Sequence, residues 1–202
     1  MTMPRARSGG EFFRVRWCMR RVCVFCGSRP GGSPSYEQAA RELGRTLADA
    51  GMGVVYGGAS VGCMGAVADS ALDAGGEVIG VIPGSMVDRE LAHKGLTELI
   101  VVESMLERKQ IMADKSDAFV ALAGGVGTLD ELFEMLTWRV LNIQDKPIVL
   151  VNTEGYYDDL IAFLDRAVTD DFLRPQHRDL LEVADEVASV LELLGRPQKP
   201  AI

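Results

Sequence analysis

Hydrophobic residues fall into two patterns that alternate along the chain. Short runs are apolar at consecutive positions, and longer stretches return an apolar side chain every third or fourth residue. The first pattern predicts strands buried on both faces and the second predicts amphipathic helices. Arg21–Cys26 reads as a strand, Pro30-Gly-Gly-Ser-Pro34 as punctuation, and Tyr36–Ala50 as a helix with Ala39, Leu43, Leu47 and Ala50 on one face and Gly51 as its stop. Strands then follow at Val54–Tyr56, Val78–Ile82, Leu99–Val102, Ala118–Leu122, Ile148–Val151 and Leu180–Val183. The helices between and after them are Met64–Ala74, Met105–Lys115, Thr128 to about Leu141, Tyr156–Val168 and Asp185–Leu194, with irregular chain from Pro83 to about Leu96. Doubly apolar strands alternating with helices predict an α/β fold, a parallel sheet of about seven strands covered on both sides with right-handed crossovers. Ligands of such sheets bind beyond the carboxyl ends of the strands. Three glycine-rich loops leave those ends here, after Cys26, Tyr56 and Leu122.

Charge narrows the ligand. The net of −8 hides an asymmetry: residues 1–21 hold six Arg and one acid, which leaves 15 basic and 28 acidic residues, or −13, for the body. A body that acidic lacks the basic footprint of a nucleic-acid binder. An anionic substrate must be held by a local device. The longest apolar runs are too short to cross a bilayer. The basic N-terminal stretch has no apolar core and no small-residue cleavage site, so it fails as a signal peptide and is expected to be an extension over 1–19. The domain is expected over 20–195, with a flexible tail over 196–202. Cys23-Val-Phe-Cys26 spans a strand, where residues three apart face opposite ways, so the spacing reads as buried reduced thiols rather than a redox or zinc pair. Reduced thiols point to the cytoplasm.

Among the loops, Ala123-Gly124-Gly125-Val126-Gly127-Thr128-Leu129-Asp130-Glu131 carries the clearest chemistry. Its glycines let the backbone approach a ligand, and the helix expected from Thr128 aims free amides and its positive dipole end into the same space, which suits a phosphate without any lysine. No Gly-Lys-Ser/Thr follows, so it is not a Walker loop. Thr128-x-x-Glu131 also reads as a capping box, which competes for the Glu131 carboxylate. In Met105-Leu-Glu-Arg108-Lys109-Gln-Ile-Met112, Met105, Arg108 and Met112 share a helical stripe that Lys109 flanks; two cations facing the crevice compete with a solvated pair lying over the core. Gly57–Gly65 is either a bed for a base or ribose at Gly58 or close backbone packing. Ser28, in Cys26-Gly27-Ser28-Arg29, offers a hydroxyl at a strand end or begins a turn. Glu90 lies in the irregular stretch.

Together these segments resemble the LOG (Lonely Guy) family, the cytokinin riboside 5′-monophosphate phosphoribohydrolases. The family signature Pro-Gly-Gly-x-Gly-Thr-x-x-Glu matches residues 123–131 except that Ala123 replaces Pro. Met-x-x-Arg-Lys-x-x-Met matches Met105–Met112 fully. Gly-Gly-Gly-x-x-Gly-Leu-Met-Gly corresponds to Gly57–Gly65 with Ala59 and Cys63 substituted, and Cys-Gly-Ser to Cys26–Ser28. The likeness runs from about Arg20 to Leu194. It implies a Rossmann-like three-layer sandwich and a homodimer with sites near the dimer interface, in which Arg108 and Glu131 are needed for activity. It also implies nucleotide contacts by Glu90, Lys109, Gly125, Val126, Gly127, Thr128, Leu129, Asp130 and Thr137.

The reaction so implied is hydrolysis of the N-glycosidic bond of N6-modified adenosine 5′-monophosphates, with AMP as a further candidate, to free base and ribose 5-phosphate. No metal or organic cofactor, nucleic acid or membrane is expected. The phosphate is expected on the amides of Gly125, Gly127 and Thr128, with Glu131 beside the ribose. The rival is a nucleotide-binding or sensing module of the same fold without turnover. A pyridoxal-phosphate decarboxylase would need a Schiff-base lysine, for which none of Lys94, Lys109, Lys115, Lys146 and Lys199 has the setting.

Overall fold

The computed structural model describes residues 20–87 and 92–198. Seven strands lie where the apolar runs predict them: β1 Arg21–Phe25, β2 Gly53–Tyr56, β3 Val78–Pro83, β4 Glu98–Val102, β5 Ala118–Ala121, β6 Ile148–Val151 and β7 Leu181–Ala184. All neighbours pair in parallel, in the order β4-β3-β2-β1-β5-β6-β7. The chain winds one way from β1 to β4 and the other way from β5 to β7, so the loops after β1 and β5 diverge and open a crevice between them.

The helices are α1 Pro34–Asp49, α2 Gly62–Asp73, α3 Met105–Asp114, α4 Val126–Val140, α5 Asp158–Thr169, and the short α6 Pro175–Arg178 and α7 Val190–Leu194. One face of the sheet packs Val22, Val24 and Cys26 against Leu43, Leu47, Val67 and Val190; the other packs Cys23, Phe25 and Phe119 against Met112, Leu132 and Leu164. Cys23 and Cys26 therefore sit in opposite cores, as strand geometry requires. Burial pushes both thiols well up from the usual cysteine range, and the Glu131 carboxylate adds to the effect. The three described cysteines are free thiols. α1 and α2 approach closely through Gly44, where an added Cβ would meet the Val67 carbonyl oxygen at 2.3 Å.

Several elements differ from expectation. α1 starts two residues early because Ser33 caps it, accepting from the Ser35 amide, with Pro34 in the first turn where a missing N–H costs nothing. The edge strand β4 leaves Leu99 and Val101 exposed instead of buried on both faces. α6 occupies a stretch with no periodic signal, being a single turn. The expected final helix divides into a 3-10 turn at Val187–Ser189 followed by α7. No helix among the described residues is long and apolar enough to cross a membrane.

Candidate active site

The crevice holds a cavity of about 600 Å³. Its wall combines the loop after β1, the start of α2, residues Met105 and Arg108 of α3, and the β5–α4 junction.

α4 begins at Val126, two residues before the expected start at Thr128, and its N-cap is Gly125. The cap has no side-chain hydrogen bond, so Thr128 does not open a capping box. The physical reason is the fit of Thr128 over Gly124: its hydroxyl lies only 2.1 Å from where a Cβ on Gly124 would stand, so Thr128 is buried inside the first turn. The leading amides of α4 have no intrahelical acceptor and bring the positive end of the helix dipole to the cavity. Gly125, Val126, Gly127 and Thr128 all line it.

Arg108 is the buried cation of the site, 3% exposed. Its Nε donates to the Val81 carbonyl at 3.0 Å and its Nη2 to the Gly57 carbonyl at 2.9 Å, with Nη1 3.8 Å from Met105 Sδ. Gly57 directly follows β2 and Val81 lies in the second half of β3, so the sheet holds the guanidinium at the cavity wall. Gly57 is required there, because an added Cβ would stand 2.1 Å from Arg108 Nη2. At Gly57 the glycine segment thus makes room for Arg108, and at Cys63 and Met64 it lines the cavity. Gly58 is buried, with φ 84°, accepts from the His93 amide at 3.0 Å, and is not among the cavity-lining residues. Glu131, 5% exposed, faces the same cavity from α4. Ser28 lines it as well.

Lys109 and Thr137 belong elsewhere. With Leu129, Asp130, Phe133 and Trp138 they line a second groove of about 670 Å³ that touches the first only at Val126. Consecutive helical residues point about 100° apart. Arg108 and Glu131 therefore face inward while Lys109 and Asp130 face the outer groove. Lys109 Nζ pairs with Asp130 at 3.0 Å and Glu134 at 2.7 Å. Burial works against its charge, but hydrogen bonds to the two acids outweigh that and raise its pKa. Glu90 lies outside the described residues.

Four further lining residues, Arg29, Tyr36, Met86 and Tyr156, were not among those the sequence pointed to, while Cys63 and Met64 belong to the glycine segment read there as a possible bed. Arg29 directly follows Ser28 at a strand end and Tyr156 follows β6, so position on the strand-end side was the available signal.

A family profile described as "Possible lysine decarboxylase" matches residues 64–194. A protein of Oryza sativa subsp. japonica named "Probable cytokinin riboside 5'-monophosphate phosphoribohydrolase LOGL5" is 49% identical over 172 residues, which cover 85% of this chain and 70% of that protein. The cytokinin riboside 5'-monophosphate phosphoribohydrolase of Rhodococcoides fascians is 45% identical over 88% of this chain and 90% of its own. Among solved structures, the molybdenum cofactor binding protein of Rippkaea orientalis superposes with a TM-score of 0.66 at 25% identity, covering 86% of this chain and 94% of its own. With four glycine and charge motifs in register and this identity over most of its length, the chain belongs to the LOG family of cytokinin riboside 5′-monophosphate phosphoribohydrolases.

Proposed function

We propose that this chain hydrolyses the N-glycosidic bond of N6-modified adenosine 5′-monophosphates, giving the free base and ribose 5-phosphate. The observation that carries the reading is the convergence, in one cavity, of a helix N-terminus with a buried arginine and a buried carboxylate. The 5′-phosphate sits on the amides of Gly125, Gly127 and Thr128, where helix dipole and open N–H groups favour an anion. Arg108 adds fixed positive charge toward the phosphate or ribose. Glu131 lies beside the anomeric carbon, stabilises the oxocarbenium-like charge that grows as C1′–N9 breaks, and orients the attacking water. Water delivers its hydroxyl to C1′ as the bonding pair leaves with N9, and the proton that water loses is balanced by the one the departing purine takes up from solvent, so the products are ribose 5-phosphate and the neutral base.

The relatives' names support the substrate class. A pyridoxal-phosphate decarboxylase does not fit, since no lysine is among the described residues lining the cavity and Lys109 is engaged by two acids in the outer groove. The chain incubated with isopentenyladenosine monophosphate is expected to release isopentenyladenine and ribose 5-phosphate in equal amounts, read by chromatography. Binding without any free base would leave only the non-catalytic nucleotide module.

The working form is a homodimer, with residues 20–195 as the catalytic unit. Lys109 and Thr137, expected to contact nucleotide, sit in the outer groove, and a second copy seated there would bring them to its own or its neighbour's cavity. Val126, 85% exposed between the two hollows, is an apolar surface suited to cover by that copy. Light scattering is expected to report twice the chain mass of 21.9 kDa; a monomer at micromolar concentration would remove the dimer. The reduced, buried thiols suit a cytoplasmic protein.

A further inference from the structure

The loop from β5 into α4 has each of its carbonyls engaged. Leu122 O accepts from the Tyr157 hydroxyl at 2.8 Å, and Ala123 O accepts from the Gly27 amide at 3.1 Å. Gly124 O accepts from the Tyr156 hydroxyl at 2.8 Å, and Gly125 O from the Leu129 amide at 3.1 Å. A trans peptide points its N–H opposite to its C=O, so a partner that fixes one carbonyl also fixes the direction of the next amide. The Gly124–Gly125 peptide leads into the N-cap residue of α4, and glycine on both sides leaves it free to rotate unless something holds it.

Tyr156 is placed to hold it. Its ring stands edge-on to Tyr36 at 5.3 Å and to Tyr157 at 4.8 Å. The preceding turn is tied to the start of α1, where the Ser35 hydroxyl donates to Glu154. Tyr156 is nonetheless 44% exposed, so packing alone would accept phenylalanine there.

We infer that Tyr156 is a positioning residue: by holding the Gly124 carbonyl, its hydroxyl turns the Gly125 amide toward the cavity, where it joins the first amides of α4 in gripping the phosphate. The inference rests on the phosphate seat proposed above and adds a residue that acts through the loop. Tyr157 supplies the comparison. Its hydroxyl holds Leu122 O and lies against the Gly124 amide, so it fixes the peptides before Gly124 rather than the one after it; at 3% exposure its loss strands a buried carbonyl, which costs stability.

The full chain, with Tyr156→Phe and Tyr157→Phe as separate variants, is titrated calorimetrically with ribose 5-phosphate and with inorganic phosphate. Steady-state kinetics on the nucleotide run alongside. Tyr156→Phe is expected to bind ribose 5-phosphate roughly five- to tenfold more weakly, the worth of about one hydrogen bond. Its KM should rise by a similar factor while kcat stays within about twofold, with the melting temperature unchanged. Tyr157→Phe should melt earlier yet bind ribose 5-phosphate within about twofold of wild type. The inference is overturned if Tyr156→Phe binds as wild type, if Tyr157→Phe loses as much affinity, or if the wild-type chain binds neither anion. A wild type that binds ribose 5-phosphate but frees no base removes the hydrolase reading alone, and the affinity comparison still decides the role of Tyr156.

Discussion

Replacing Glu131 with Gln is expected to lower turnover on isopentenyladenosine monophosphate by about 10²–10⁴-fold, the range typical of a positioned carboxylate acting on a proton or developing charge. The substitution keeps the shape of a side chain that is almost wholly buried on α4, so packing survives. What it removes is the negative charge. An oxocarbenium-like centre is positive where the ground-state sugar is neutral, so the lost stabilisation falls on kcat rather than on KM. The melting temperature should stay within a few degrees of wild type. The assay is initial-rate kinetics beside a thermal melt. Full turnover in a normally folded Glu131→Gln protein would show that this acid serves the helix and not the sugar.

Arg108→Ala is expected to damage both activity and stability. A surface arginine would cost little, but this one bridges the carbonyls of Val81 and Gly57 from a buried position. Truncation deprives those two carbonyl oxygens of the guanidinium donor and opens a void. Together these are worth about 2–4 kcal/mol. For a chain of this size that is a fall of roughly 5–15 °C in melting temperature. Turnover should drop by at least about 100-fold even when assayed well below the new midpoint, because the anion has lost its fixed counter-charge. Arg108→Lys separates the two effects. It keeps the charge but cannot span both carbonyls, so part of the stability should return while activity stays low. An Arg108→Ala protein that melts early yet turns over normally would confine this residue to the core.

The strands were legible because a parallel sheet buries both faces, so short runs apolar at every position, such as Val22–Cys26 and Ile148–Val151, read as strands. The cavity was legible too, since the Gly124–Thr128 loop and Arg108 sit at strand ends. Two things were not. The start of α4 was misplaced because Thr128-x-x-Glu131 imitates a capping box, while the true cap, Gly125, is also an accepted N-cap residue and leaves no side-chain signature. Arg108 and Lys109 look like one basic pair in sequence, but a step of one residue on a helix turns the side chain into a different hollow. The glycine loop after β2 suggested a ligand bed; its Cys63 and Met64 line the cavity, while Gly57 makes room for the Arg108 guanidinium.

The cavity draws its lining from separate lengths of chain. Met105, Arg108, the loop from Ala123 to Thr128 and Glu131 supply one set of lining residues, while Arg29, Tyr36, Cys63 and Met64 supply another. The family profile, which begins at residue 64, takes in the first set and leaves out most of the second. Substitutions in the stretch from Arg29 to Tyr36 can therefore reshape what enters without displacing the groups proposed to break the bond. On this scaffold the shape of the entrance and the groups proposed for hydrolysis are encoded in separate stretches of chain.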